Sequence, residues 1–185
     1  MIVLASASPR RKELLALLTQ DFRVEPSNAD ESCNIQEAPK LVRFLARKKA
    51  EDIFAKHPHD AVIGADTVVE APDGEIFGKP RDIADARRML EVLSGNTHRV
   101  YTGVCVMYGG KILEDVRSSE VCFAEISEAE LGRYLERENV MDKAGAYAVQ
   151  GGAAKFVKTI NGCFFNIVGL PVSMLYEMLT SLHVL

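Results

Sequence analysis

The chain has 185 residues, 48% hydrophobic and 26% charged, with a net charge of −4 and a pI near 5.6. That composition suits one globular domain, residues 1–185, with a sizeable core, and it excludes extensive disorder. The acidic balance excludes a global electrostatic drive toward nucleic acid or membrane, so a polyanionic ligand must be caught by a local basic cluster.

In chain order, Ile2–Ala5 reads as a short buried strand and Pro9–Leu18 as a helix. A longer amphipathic helix follows at Ala38–Lys56, then a strand at Ala61–Val69 and a turn at Pro72-Asp73-Gly74. Ile83–Leu93 is helical and stops at Ser94-Gly95. Arg99–Met107 and Ile112–Phe123 pair as a hairpin across Tyr108-Gly109-Gly110-Lys111. Glu128–Glu138 is helical, Asp142 to Gly152 forms a glycine-bearing loop, Phe164–Val168 reads as a strand, and Pro171–Leu182 closes as a helix. Alternating strands and helices with one hairpin predict an α/β fold around a mixed sheet. The four cysteines form no CxxC pair, which argues against zinc or redox chemistry. Met1 to Ala5 is too short for a signal sequence and no run is long enough to span a membrane, so the expectation is a cytoplasmic protein without a membrane partner.

Three places put charge where stability alone would not. Ser6-Ala7-Ser8-Pro9 starts a helix, with Ser8 as N-cap and Pro9 at the first helical position. The cationic Arg10-Arg11-Lys12 then follows at the end where the macrodipole disfavours positive charge. Free N–H groups, two hydroxyls and two guanidinium groups directly after a strand make a phosphate site. In the long helix, Lys49 falls within the apolar arc of Leu41, Val42, Leu45, Ala46 and Ile53. A lysine there needs an anion or a water-filled cleft, or it snorkels to the surface. Asp66 interrupts the apolar run Ala61–Val69, and a carboxylate at that place is costly unless it meets a cation, a metal or a proton-transfer task. Gly64 leaves room for close backbone approach. Asp30-Glu31 and Lys79 are ambiguous alone, and His98 and Asp142 read as structural. There is no GxxxxGK[ST], GxGxxG, HExxH or GxSxG motif, which turns the reading away from P-loop, dinucleotide-binding and serine-hydrolase chemistry.

These fragments together resemble the Maf family of nucleotide pyrophosphatases. The resemblance is carried in order by Ala5–Arg11, Asp30-Glu31, Ala46–Ala50, Gly64–Val69 and Gly78-Lys79-Pro80. It continues through Leu93-Ser94-Gly95 with His98, Tyr101-Thr102-Gly103, Asp142–Tyr147, Gln150-Gly151 and Val168–Pro171. It implies a mixed, twisted sheet with flanking helices and two lobes around a deep cleft, as in inosine triphosphate pyrophosphatases, and commonly a homodimer. It also implies hydrolysis of a nucleoside triphosphate to monophosphate and pyrophosphate with a divalent metal such as Mg, Mn or Co. The branch acting on dTTP and UTP carries residues matched here by Arg10, Thr67 and Gln150, which would read the base. Asp66 would be the catalytic base or metal holder, with Glu31 the second metal carboxylate. Ser6, Ser8, Arg11, Lys49 and Lys79 would bind the triphosphate. A non-catalytic regulator of septum formation or cell division that binds nucleotides is the alternative the resemblance allows. One departure stands at Cys163-Phe164, where small polar and tyrosine residues are commoner, and it bears on local packing.

Overall fold

The computed structural model describes residues 1–185. Its elements are β1 (Ile2–Leu4), α1 (Pro9–Leu15), β2 (Phe22–Val24), α2 (Ala38–Phe54), β3 (Ala61–Glu70), β4 (Ile76–Phe77) and α3 (Ile83–Leu93). There follow β5 (Thr97–Tyr108), β6 (Lys111–Phe123), α4 (Glu128–Arg137), β7 (Val157–Gly162), α5 (Phe164–Val168) and α6 (Val172–Ser181). The seven strands form one sheet in the order β2-β1-β3-β5-β6-β7, with β4 pairing β3 off that path. β1 runs parallel to β2 and β3, while β4 is antiparallel to β3 and β7 to β6, so the sheet is mixed as expected. No helix is long and apolar enough to cross a membrane.

The chain divides into two compact units. The first draws on Met1–Asp66, Thr102–Arg117 and Gly169–Leu185, and the second on Thr67–Tyr101 and Ser118–Val168.

The core of the first unit is the apolar stripe of α2 laid on the sheet: Ala46, Ala50 and Ile53 pack with Val3, Ala5, Val62, Cys105 and Met107. Two glycines let the helix backbone come down onto the strands. A Cβ added at Gly64 would stand 2.1 Å from the Ala46 carbonyl oxygen, and one at Gly103 would stand 2.4 Å from that of Val42. Neither position admits a side chain, which is the close approach that Gly64 signalled in the sequence.

In the second unit, aromatic rings meet edge to face. His98, Phe123 and Tyr147 have centroids 4.9 to 5.4 Å apart, and Tyr134 packs on Phe156 at 5.5 Å. His98 Nε2 and the Tyr147 hydroxyl share a 2.8 Å hydrogen bond, and burial pushes the imidazole down to about 4. His98 is thus a neutral core histidine.

Phe164–Val168 corrects the strand reading: it is a helix of five residues. An apolar run of that length carries no decisive periodicity, so its surroundings choose. Glycines with φ of 123° and 121°, Gly162 and Gly169, stand on either side of it. Within the turn, the buried Asn166 donates to the Val100 carbonyl at 3.0 Å and to Ser119 Oγ at 2.9 Å. Ser119 Oγ in turn accepts from the Cys163 amide at 3.0 Å, which places Cys163 in a polar corner and leaves Phe164 partly exposed. The strands β4 and β7 were absent from the sequence reading; β4 has only two residues, and no β7 residue is fully buried, so neither shows a clear apolar pattern.

Candidate active site

β1 ends at Leu4, where the chain turns out of the sheet into Ser6 and α1. The seryl N-cap forms as expected: Ser8 is extended, and its Oγ accepts from the Arg11 amide at 3.4 Å. The helix it starts has only seven residues, so its dipole is modest, and the local chemistry belongs to the side chains. Arg11 turns back across the start of the helix. Its Nε donates to the Gly169 carbonyl at 2.8 Å and its Nη1 to Ser6 Oγ at 3.2 Å. Ser6 Oγ also accepts from the Ser8 amide at 3.2 Å. Burial draws the Arg11 guanidinium below its ordinary value, while Asp66 and Glu31 pull it upward. Arg10, half-buried beside it, adds a like charge.

The two remaining anomalies answer one another. Lys49 Nζ lies 2.6 Å from Asp66 Oδ1 and 3.1 Å from Glu31 Oε1, so one ammonium gathers two carboxylates. Lys49 and Asp66 are only 13% and 12% exposed, whereas Glu31 is 54% exposed, so the first limb is largely shielded and the second is wet. The anion that Lys49 requires on its apolar stripe is Asp66, and it does not snorkel.

Glu31 is carried on a loop with no helix or strand of its own, and two residues passed over in the sequence reading hold that loop on α2. Asp52 Oδ2 accepts from the Ser27 hydroxyl at 2.8 Å and the Asn28 amide at 2.9 Å, and those bonds hold its carboxyl below the usual range. Lys48 Nζ donates to the Asp30 carbonyl at 2.9 Å. Neither residue breaks the helical pattern, so only its distance from the apolar stripe could have drawn notice.

The first unit thus gathers Ser6, Ser8, Arg11, Glu31, Lys49 and Asp66. Thr67, Lys79 and Gln150 lie in the second unit. Thr67 follows Asp66 on β3 and is half-buried, Lys79 is exposed between β4 and α3, and Gln150 is exposed in the turn before Gly151.

No three His, Cys, Asp or Glu side chains converge as a metal cage. Magnesium does not require one, since it takes one or two carboxylates and completes its octahedron with water and phosphate oxygens. Glu31 and Asp66, already drawn around a single positive charge, fit that donor set.

The model of the family described as Maf-like protein matches residues 1–182. The chain belongs to the Maf family. Among its relatives is a protein of Koribacter versatilis named dTTP/UTP pyrophosphatase, 46% identical over 185 residues, which span all of this chain and 95% of that one. Proteins of the same name from Acholeplasma laidlawii and Pyrococcus abyssi are 44% and 43% identical, covering 100% and 97% of this chain and 97% and 95% of theirs. Among solved structures, the Staphylococcus aureus Ham1 protein superposes with a TM-score of 0.58 over 97% of this chain and 98% of its own at 14% identity, a likeness of fold alone.

Proposed function

We propose that this Maf protein hydrolyses dTTP and UTP between the α- and β-phosphates, releasing the monophosphate and pyrophosphate. The observation that carries this reading is the shielded Lys49–Asp66 pair with Glu31 on the same ammonium, set near Arg11, in a chain whose full-length relatives bear the name dTTP/UTP pyrophosphatase.

Asp66 takes a proton from the water that attacks the α-phosphorus, through the carboxylate that Lys49 holds in place. Glu31 and Asp66 would hold the divalent ion, which when bound lowers the pKa of a coordinated water and neutralises phosphate oxygens. Arg11, braced by Ser6 and the Gly169 carbonyl, offsets charge that builds on the departing pyrophosphate. Lys49 adds its charge from α2 and Lys79 from the loop before α3. Arg10, Thr67 and Gln150 would read the base. Thymine and uracil share an acceptor–donor–acceptor edge that a guanidinium, a hydroxyl and an amide can pair with.

The test is pyrophosphate release from dTTP, UTP, CTP and GTP with magnesium or manganese, repeated with EDTA. The expected result is metal-dependent release that favours dTTP and UTP. Nucleotide binding without pyrophosphate release would refute the enzymatic reading.

A further inference from the structure

Outside the Lys49 cluster, the second unit contains one carboxylate buried among cations, Asp85, whose side chain is 5% exposed. It stands in the first turn of α3, where Asp82 Oδ1 already accepts from its amide at 2.7 Å and so caps the helix. Capping therefore does not account for what the Asp85 carboxylate does. Its Oδ2 reaches outside the helix and accepts from the Arg81 amide at 3.0 Å and from Arg81 Nε at 3.2 Å. Its Oδ1 accepts from Arg88 Nη2 at 3.1 Å. Arg88 in turn grips Glu75 through two bonds of 2.8 and 3.0 Å, which ties the turn before β4 to the same helix.

The residue two places before Arg81 is Lys79. On its other side, the Gly78 carbonyl accepts from the Gly145 amide at 3.0 Å. Gly145 sits so close to Val69 that an added Cβ would meet Val69 Cγ2 at 2.9 Å. Pro80 between them is buried and has its φ fixed by the ring. The backbone from Gly78 to Arg81 is therefore fastened at both ends and stiff in the middle, with the Lys79 side chain exposed. A long, flexible ammonium aims well only if its Cα is held, and Asp85 supplies one of the two fastenings.

We infer that Asp85 is a positioning residue for Lys79, acting through the Arg81 amide to hold the lysine ammonium where it meets substrate phosphate. This rests on the reading of Lys79 as a phosphate ligand.

The experiment is a double-mutant cycle on kcat/KM for dTTP with Lys79→Ala, Asp85→Ala and the two together, accompanied by amide hydrogen exchange over residues 78–81. Asp85→Ala is expected to cost about tenfold to a hundredfold in kcat/KM, the range for a displaced charged group. On the Lys79→Ala background it should cost less than about twofold, because the group it positions is gone. The Arg81 amide should exchange at least about tenfold faster in Asp85→Ala, having lost its acceptor. Equal losses in both backgrounds, or unchanged exchange at Arg81, would overturn the positioning role. Should Lys79→Ala alone leave kcat/KM unchanged, the phosphate reading of Lys79 falls instead, and the inference with it. If Asp85→Ala does not fold, Asp85→Leu keeps a similar size while removing both acceptor oxygens, and the same comparisons apply.

Discussion

Replacing Gly64 with Ala would force α2 off the sheet at the turn that carries Lys49. The new Cβ would stand 2.1 Å from the Ala46 carbonyl oxygen, 2.8 Å from the Ala50 nitrogen and 3.0 Å from the Ala50 Cβ, against an ordinary contact of 3.4 to 4 Å. Two of these are backbone atoms, which no rotamer change can move aside, so the helix itself must retreat by about 1 Å. Lys49 lies between Ala46 and Ala50, and its Nζ is carried away from Asp66, to which it now stands at 2.6 Å. Overpacking of this kind costs about 1–3 kcal/mol, and the backbone clash puts Gly64→Ala at the upper end. For a protein of this size that lowers the melting temperature by about 5–10 °C. A displacement of this size at a catalytic group lowers turnover about a hundredfold. Gly103→Ala is the control, since its Cβ would strike Val42, two helical turns before Lys49, at 2.4 Å. It should destabilise to a similar degree yet cost less than about tenfold in turnover. The assay is calorimetric melting beside pyrophosphate release at a temperature where both variants are folded. A Gly64→Ala protein that melts within about 2 °C of wild type and keeps most of its turnover would refute the argument that glycine is there for helix approach.

Asp66→Asn should lower kcat by about 10²–10⁴ with the fold intact, and a folded variant retaining more than about a tenth of wild-type activity would show that Asp66 is not the base. Gln150→Glu swaps an amide for a carboxylate of the same size. It should narrow the preference for UTP over CTP by about ten- to a hundredfold in kcat/KM, and an unchanged profile over the two bases removes Gln150 from base reading. His98 is held neutral by burial, its pKa pushed from 6.5 to about 4. Between those values the unfolded chain takes up a proton that the folded chain refuses. The stability this residue contributes is therefore complete above about pH 6.5 and is lost on acidification toward pH 4, at up to about 1.4 kcal/mol per pH unit. Urea midpoints would trace that loss, and an imidazole NMR titration with a midpoint above about 6, near that of a free histidine, would contradict it.

The parts of the site legible in the sequence were those where a residue defied its own surroundings. A lysine on the apolar stripe of α2 and an aspartate in the apolar run of β3 each demanded an unnamed partner, and they turn out to satisfy each other. The helix start at Ser8-Pro9 was legible because capping is local, and Gly64 because a glycine within a buried strand needs a neighbour's backbone. Residues that obey their local pattern stayed hidden. Asp52 and Lys48 look like ordinary solvent-side helix residues, and only the folded chain shows them reaching the loop with Glu31. Asp85 reads as a first-turn acid and nothing more, since its acceptor role toward Arg81 depends on a turn of the chain outside the helix. The Phe164–Val168 strand reading failed for a related reason. Its five residues were settled by Asn166 bonding to Val100 and Ser119, 66 and 47 positions away.

The bond from Arg11 to the Gly169 carbonyl joins residues 158 positions apart. During synthesis the Gly169 carbonyl follows Arg11 by about 8–30 s at ordinary elongation rates. The first unit is also interrupted twice by segments of the second, so it cannot close until Gly169–Leu185 has been made. A truncated or stalled chain would thus present the Ser6–Arg11 segment without the carbonyl that orients its guanidinium. The Arg11 guanidinium thus takes its orientation from a carbonyl made 158 residues after it, and the corner of Ser6 and Arg11 is among the contacts of the first unit that form last.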